Sequence, residues 1–167
     1  MIELKDRGYS ALKAQPLAKK LNVTRGSFYY HFENLESFHA AVITHWSKHT
    51  SGRVIKTAQE SINPQKALDE LLQQTLCSGE DLERAIRSWS TVQPLVAKEV
   101  EKVDQGRIKV AEALLIKSGV SKSHAAPRAK LLYWAAIGRL MLPFPANNLL
   151  SRMEISGVAT LMLQERE

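Results

Sequence analysis

Asn22-Val23-Thr24-Arg25-Gly26-Ser27-Phe28-Tyr29-Tyr30-His31-Phe32 packs unusual chemistry into a short space. Thr24 has the side chain of a helix cap, with an oxygen that accepts an otherwise orphaned N–H two or three residues on. The segment from Arg25 to Phe32 is therefore predicted to be a short helix. Phe28 and Phe32, at i and i+4, share one face and point inward. Arg25, Ser27, Tyr29, Tyr30 and His31 then crowd the remaining surface with hydrogen-bonding groups, a composition ill suited to a core and well suited to a polar partner. Working back, Asn22-Val23 reads as a tight turn. Lys13 to Leu21 reads as a helix with Leu17, Ala18 and Leu21 inward and Pro16 in the first turn, where a missing N–H is tolerated. Ile2 to Arg7 supplies one or two more helical turns, closed by Gly8 as a left-handed cap. Three short helices with a cap, a tight turn and a basic third member outline a helix-turn-helix, whose second element enters the major groove.

The charge distribution agrees. The chain of 167 residues has 23 basic and 17 acidic side chains, net +6. Met1 to Phe32 holds six of the basic residues against Glu3 and Asp6, hence +4, which leaves 17 basic and 15 acidic, hence +2, for all the rest. A basic excess concentrated in this way is what phosphate neutralisation requires.

Beyond the basic segment no stretch alternates as a strand does, and apolar residues recur at helical spacing. Asn34 opens a long helix reaching about Ala58, with Leu35, Phe38, Val42, Trp46 and His49 on one stripe. Its length makes it a bridge to the remainder. Asn63-Pro64 opens the next helix, with Leu68, Leu71, Leu72 and Leu76, and Gly79 ends it. Leu82, Ile86 and Trp89 mark another. Pro94 opens one running to about Ser118, stopped by Gly119. The most apolar helix spans Ser121 to Pro143, with Pro127 as a kink or as its true first turn. Pro143-Phe144-Pro145 separates it from a last helix, Asn147 to Gln164, whose apolar face is Leu150, Ile155, Val158, Ala159, Leu161 and Met162. The expected fold class is all-α, with an N-terminal helix-turn-helix domain (1–38) and a C-terminal helical domain (39–167).

Gly8-Tyr9, Leu17-Ala18, the Asn22 to Phe32 run, Asn34 and Glu36 together resemble the DNA-binding signature of the TetR/AcrR family of bacterial transcriptional regulators. The resemblance is specific over about the first 38 residues and architectural afterwards. It implies that Lys13, Gln15, Arg25, Gly26, Tyr29 and Tyr30 face the groove, while Thr24, Ser27, Tyr29 and His31 touch phosphate. The side-chain chemistry fits, since Arg reads guanine bidentately, Gln reads adenine, and hydroxyls with His fix register on the backbone. The family also has a longer first helix, so either native residues precede Met1 or the module is trimmed, and it has a phosphate-binding lysine where Leu35 stands here. The same resemblance implies a ligand-responsive regulator, a repressor, that binds palindromic operator DNA as a homodimer. The alternative is a similar helical dimer that binds a small molecule or protein without sequence-specific DNA binding.

For the small-molecule effector the expected lining is His45, Trp46, Cys77, Trp89, Tyr133 and Trp134, although Trp at helical spacing is also ordinary core filler. Arg84, Arg87, Asp104 and Arg107 suit an acidic ligand or a structural ion-pair cluster. The expected dimer interface is Leu131, Ala135, Gly138 and Met141 with Ile155, Val158, Ala159 and Met162, two helices per subunit forming a four-helix bundle. His39, His45 and His49 share a helix without a carboxylate or Cys at ligand spacing, so no metal is expected. There is no G-x-S-x-G elbow, phosphate loop, paired carboxylate or metal signature, so no cofactor and no enzyme are expected. Cys77 is alone and allows no internal disulfide, and the N-terminus has no uninterrupted apolar core of the kind a secretion signal needs; both suit the cytoplasm. The longest apolar run, Leu131 to Gly138, is far short of the roughly 18 residues a membrane span needs.

Overall fold

A computed structural model describes residues 1–60, 63–77, 80–142 and 149–164, with side chains throughout except at 53–60, 77 and 80. The described residues form α1 (Ile2–Arg7), a 3-10 turn (Tyr9–Ala11), α2 (Ala14–Lys20), α3 (Arg25–His31), α4 (Leu35–Glu60), α5 (Pro64–Cys77), α6 (Glu80–Ser90), α7 (Pro94–Lys117), α8 (Lys122–Met141) and α9 (Arg152–Leu163). No strand occurs among them, and the fold class is all-α.

The helix starts are where the capping residues stand. Thr24 Oγ1 accepts the Ser27 N–H at 3.0 Å at the head of α3. Asn34 Oδ1 accepts the Ser37 N–H at 2.8 Å, and the Ser37 hydroxyl takes the Asn34 N–H at 3.2 Å, a reciprocal cap for α4. Asn63 Oδ1 accepts the Gln65 N–H at 2.9 Å, with Pro64 as the first residue of α5. At α9 the box is formed by Ser151 and Glu154, and the Ser151 N–H bond holds the Glu154 carboxyl below its ordinary value. The last helix was expected to begin at Asn147. That residue and the Pro143-Phe144-Pro145 break lie outside the described residues, and among the described ones α9 starts at its Ser151 cap. Pro127 proves to lie inside α8 rather than at its start.

The chain divides into two compact units, one of residues 1–49 with 80–102, the other of residues 50–79 with 103–167. The first unit thus extends past residue 38 and takes in α6. The cause is tertiary, because α1, only six residues long, packs against α6 and fully buries Leu4. Ile43, Trp46, Ile86, Trp89 and Val96 are buried in the same unit.

The second unit is built around Leu68, Leu72, Leu114, Leu115, Ala125, Ala129, Ile155 and Ala159, contributed by α5, α7, α8 and α9. Gly119 (φ 101°) ends α7 in a Schellman turn, with Val120 N–H on the Leu115 carbonyl and Gly119 N–H on that of Ile116, both at 3.0 Å. Arg128 of α8 closes the far end of α9 by donating to the Met162 carbonyl at 2.7 Å and the Gln164 carbonyl at 2.9 Å. Charge-assisted bonds to carbonyls that a helix end leaves unpaired are worth about 1.5 to 3 kcal/mol. Arg128→Ala should therefore lower the stability of this unit by about 2 kcal/mol, measured by urea denaturation, with helix content otherwise unchanged.

Candidate nucleic-acid interface

The connection between α2 and α3 is a left-handed turn at Asn22 (φ 53°), one of the few residues besides glycine that tolerates it. Val23 N–H reaches the Ala18 carbonyl at 2.9 Å and Asn22 N–H that of Lys19 at 3.2 Å, which completes the Schellman pattern at the end of α2. The turn therefore sets the angle between the two helices through backbone hydrogen bonds.

Beneath α3 lies an aromatic cluster. Phe28 is buried, with its ring centroid 5.4 Å from Phe32 and 5.2 Å from Phe38 of α4, and Phe32 is 5.0 Å from Phe38. Edge-to-face contacts of this kind add about 0.5 to 1.5 kcal/mol each to the burial and hold α3 on α4. The opposite flank is open. Arg25, Tyr29, Tyr30 and His31 are all exposed, Tyr30 to 86%. The Arg25 guanidinium lies 5.4 Å from the Tyr29 ring centre, a cation–π contact that pre-orients it outward, and Tyr30 meets His31 edge-on at 5.2 Å. Lys13 and Gln15 are exposed at the head of α2. Ser27 is half-buried and joined to the Thr24 hydroxyl at 3.0 Å, so these two serve the cap as well as the surface. A methyl group at Gly26 would meet Thr24 Oγ1 at 3.5 Å, an ordinary contact; nothing in the protein itself requires glycine there.

The basic residues divide into two sets. Lys20 pairs with Glu3 and Lys5 approaches Asp81 of α6 at 3.7 Å, which ties α1 to α2 and α6, while Arg7 pairs with Glu3 within α1. Lys13, Lys19 and Arg25 form no ion pair among the described residues and carry the outward charge. The hydrogen bond from Lys20, with the charges of Lys20 and Arg7, holds the Glu3 carboxyl below its ordinary 4.5. A depressed carboxyl stabilises the fold above its unfolded value, and that contribution is lost as pH falls through the folded value. Lys20→Met should accordingly move the Glu3 titration up toward 4.5 and raise the pH at which the contribution is lost, followed by carbon NMR of the Glu3 carboxyl.

Residues 1–42 match the sequence model of bacterial regulatory proteins of the tetR family. The N-terminal segment is thus similar to the DNA-binding module of that family. No curated protein matches the sequence. Among solved structures, a TetR transcriptional regulator from Legionella pneumophila is 17% identical, with a TM-score of 0.70 over 95% of this chain and 88% of that one. The reduced form of E. coli NemR is 18% identical, with a TM-score of 0.69 over 96% and 89%. A TetR/AcrR-family regulator from Thermobifida fusca is 17% identical, with a TM-score of 0.67 over 99% and 93%. At such identities the likeness shows the fold alone, which this chain shares with those structures over 95 to 99% of its length.

In the second unit of this TetR-type fold, a cavity of about 40 Å³ is lined by Leu71, Leu72, Thr75, Arg107, Ala111, Leu132, Tyr133 and Ala136. Of the residues expected around an effector, Tyr133 lines it. Trp46 and Trp89 instead fill the core of the first unit, at 3% and 1% exposure, while His45 and Trp134 face solvent. The Cys77 side chain lies outside the described residues. Helical spacing fixes a residue's face, and it does not tell a cavity wall from a core. The small residues Ala111 and Ala136, which make the room, carry no signal in isolation.

The expected interface also divides. On α8, Leu131, Ala135, Gly138 and Met141 are exposed, joined on the same face by Trp134 and Leu142. On α9 the outcome is the reverse. Ile155 and Ala159 are buried in the unit's own core, which takes them from a partner's reach, while Val158 and Met162 are half-buried against that core. Met153, Gly157 and Leu161 are among the exposed α9 residues and form a second stripe that the sequence reading missed apart from Leu161. No helix among the described residues is long and apolar enough to cross a membrane, and no group of three metal-ligating side chains occurs among them.

Proposed function

We propose that this protein is a ligand-responsive transcriptional repressor of the cytoplasm, which binds palindromic operator DNA as a homodimer through α2 and α3. The observation that carries the reading is the open flank of α3, where Arg25, Tyr29, Tyr30 and His31 stand exposed on a helix whose other side is anchored by Phe28. Arg25 suits guanine and Gln15 adenine in the major groove, toward which Lys13 and Tyr30 also reach; Thr24, Ser27, Tyr29 and His31 suit phosphate, and Gly26 leaves room for the backbone. Dimerisation is supported by the uncovered apolar stripes of α8 and α9, in which Gly138 and Gly157 have nothing within 4 Å of a notional Cβ, leaving space for another helix to approach. Two modules in such a dimer would read half-sites about one turn of DNA, roughly 34 Å, apart. The cavity lined by Tyr133 and Arg107 supports a small effector, which acts by binding one conformation of the dimer better than another.

The test is a fluorescence anisotropy titration with a duplex recovered by in vitro selection, beside a random duplex, at several salt concentrations. The expected result is specific binding that weakens by an order of magnitude or more between about 50 and 200 mM salt. Equal, weak affinity for both duplexes would instead leave a helical dimer with a ligand or protein partner and no operator.

A further inference from the structure

His39 lies in α4, half-buried, where two other elements of the first unit meet it. Its Nε2 is 2.9 Å from the carbonyl oxygen of Leu12. A carbonyl only accepts, so Nε2 carries the proton and donates. The imidazole also meets the buried Trp89 ring of α6 edge-on, with centroids 5.1 Å apart and planes at 83°. One side chain thus touches Leu12, two residues before α2, from a seat on α4, against a wall formed by α6.

The Leu12 carbonyl needs that donor. Leu12 is 2% exposed, so water is a poor substitute. The helical ladder of α2 begins one residue later, where the Lys13 carbonyl takes the Leu17 N–H at 3.2 Å. Pro16, four residues after Leu12, has no N–H to give. A buried carbonyl without a partner is costly, so the bond to His39 holds the chain at the point where α2 starts. From there the backbone bonds of the Asn22 turn carry the placement on to α3.

We infer that His39 is a positioning residue for DNA recognition, fixing the entry of α2, and with it Lys13 and Gln15, against α4 and α6. The inference rests on the DNA-binding reading and adds to it a residue that touches no DNA. Loss of the bond leaves the charge of the module intact, so general attraction to phosphate persists while the register on the bases suffers.

The test compares His39→Leu, which keeps bulk without a donor, with His39→Gln, whose amide restores an N–H at similar reach. Affinity for the selected operator and for a random duplex is measured, and amide hydrogen exchange over residues 13–18 is followed with no DNA present. For His39→Leu the expected results are roughly five- to tenfold weaker operator binding, unchanged binding to the random duplex and faster exchange at the head of α2. His39→Gln should recover both. Wild-type affinity and wild-type exchange in His39→Leu would overturn the inference, as would a His39→Gln variant as defective as the leucine one, since only packing would then matter. A wild-type chain that binds no operator sinks the DNA reading instead, and unchanged exchange remains the separate result that sinks the placement of α2.

Discussion

Trp134→Asp is expected to turn the proposed dimer into a monomer without unfolding the chain. Trp134 is 61% exposed at the middle of the α8 stripe, between Leu131 and Gly138, so its removal opens no cavity in the subunit. In a helix-to-helix interface a central Trp is the side chain most often found to dominate binding, at about 2 to 4 kcal/mol or more. A carboxylate in its place adds the cost of desolvating an unpaired charge in each subunit. The dimer dissociation constant should rise at least about a hundredfold, seen by sedimentation as a monomer at micromolar concentration, with an unchanged helical circular dichroism spectrum. Operator affinity should fall with it, since a monomer holds a single half-site. A variant that remains a dimer would place the interface elsewhere.

The second large effect separates the two faces of α9. Ile155 is fully buried among α5, α7 and α8 side chains, whereas Met153, two residues earlier, is 83% exposed. Ile155→Asp should destabilise the second unit by about 3 to 5 kcal/mol, because the carboxylate has no partner in that core. Against a total stability of about 5 to 15 kcal/mol this lowers the melting temperature by about 10 °C or more. Met153→Asp should change stability by no more than about 0.5 kcal/mol and weaken self-association instead. Melting and sedimentation of the two variants side by side provide the check; equal melting losses would mean that both faces are covered within one chain.

Which parts of the molecule were legible beforehand follows from how local their causes are. Thr24, Asn34, Asn63 and Gly119 act on backbone groups two to four residues away, so the element boundaries they set are visible in the chain itself. The open flank of α3 was equally visible, because Arg25, Tyr29, Tyr30 and His31 have no place in a core and Phe28 and Phe32 share the other face. His39 was not. As one histidine among three on a helix it offered only a weak metal argument, and its partners, Leu12 and Trp89, lie 27 residues before it and 50 after. The short α1 likewise gave no hint that it leans on α6, which draws residues 80–102 into the first unit.

The amino-acid order alone determined that the chain is helical, where most of its helices begin, and that its third helix turns a basic, aromatic side to solvent, since each of these depends on capping, periodicity or side-chain chemistry within a few residues. Only the tertiary structure decided which of two apolar stripes on α9 is used internally, which tryptophans are core, which small residues enclose the cavity, and that His39 holds the start of α2. These are contacts between segments far apart in the chain, and hydrophobic periodicity states that a face will be buried without naming what buries it.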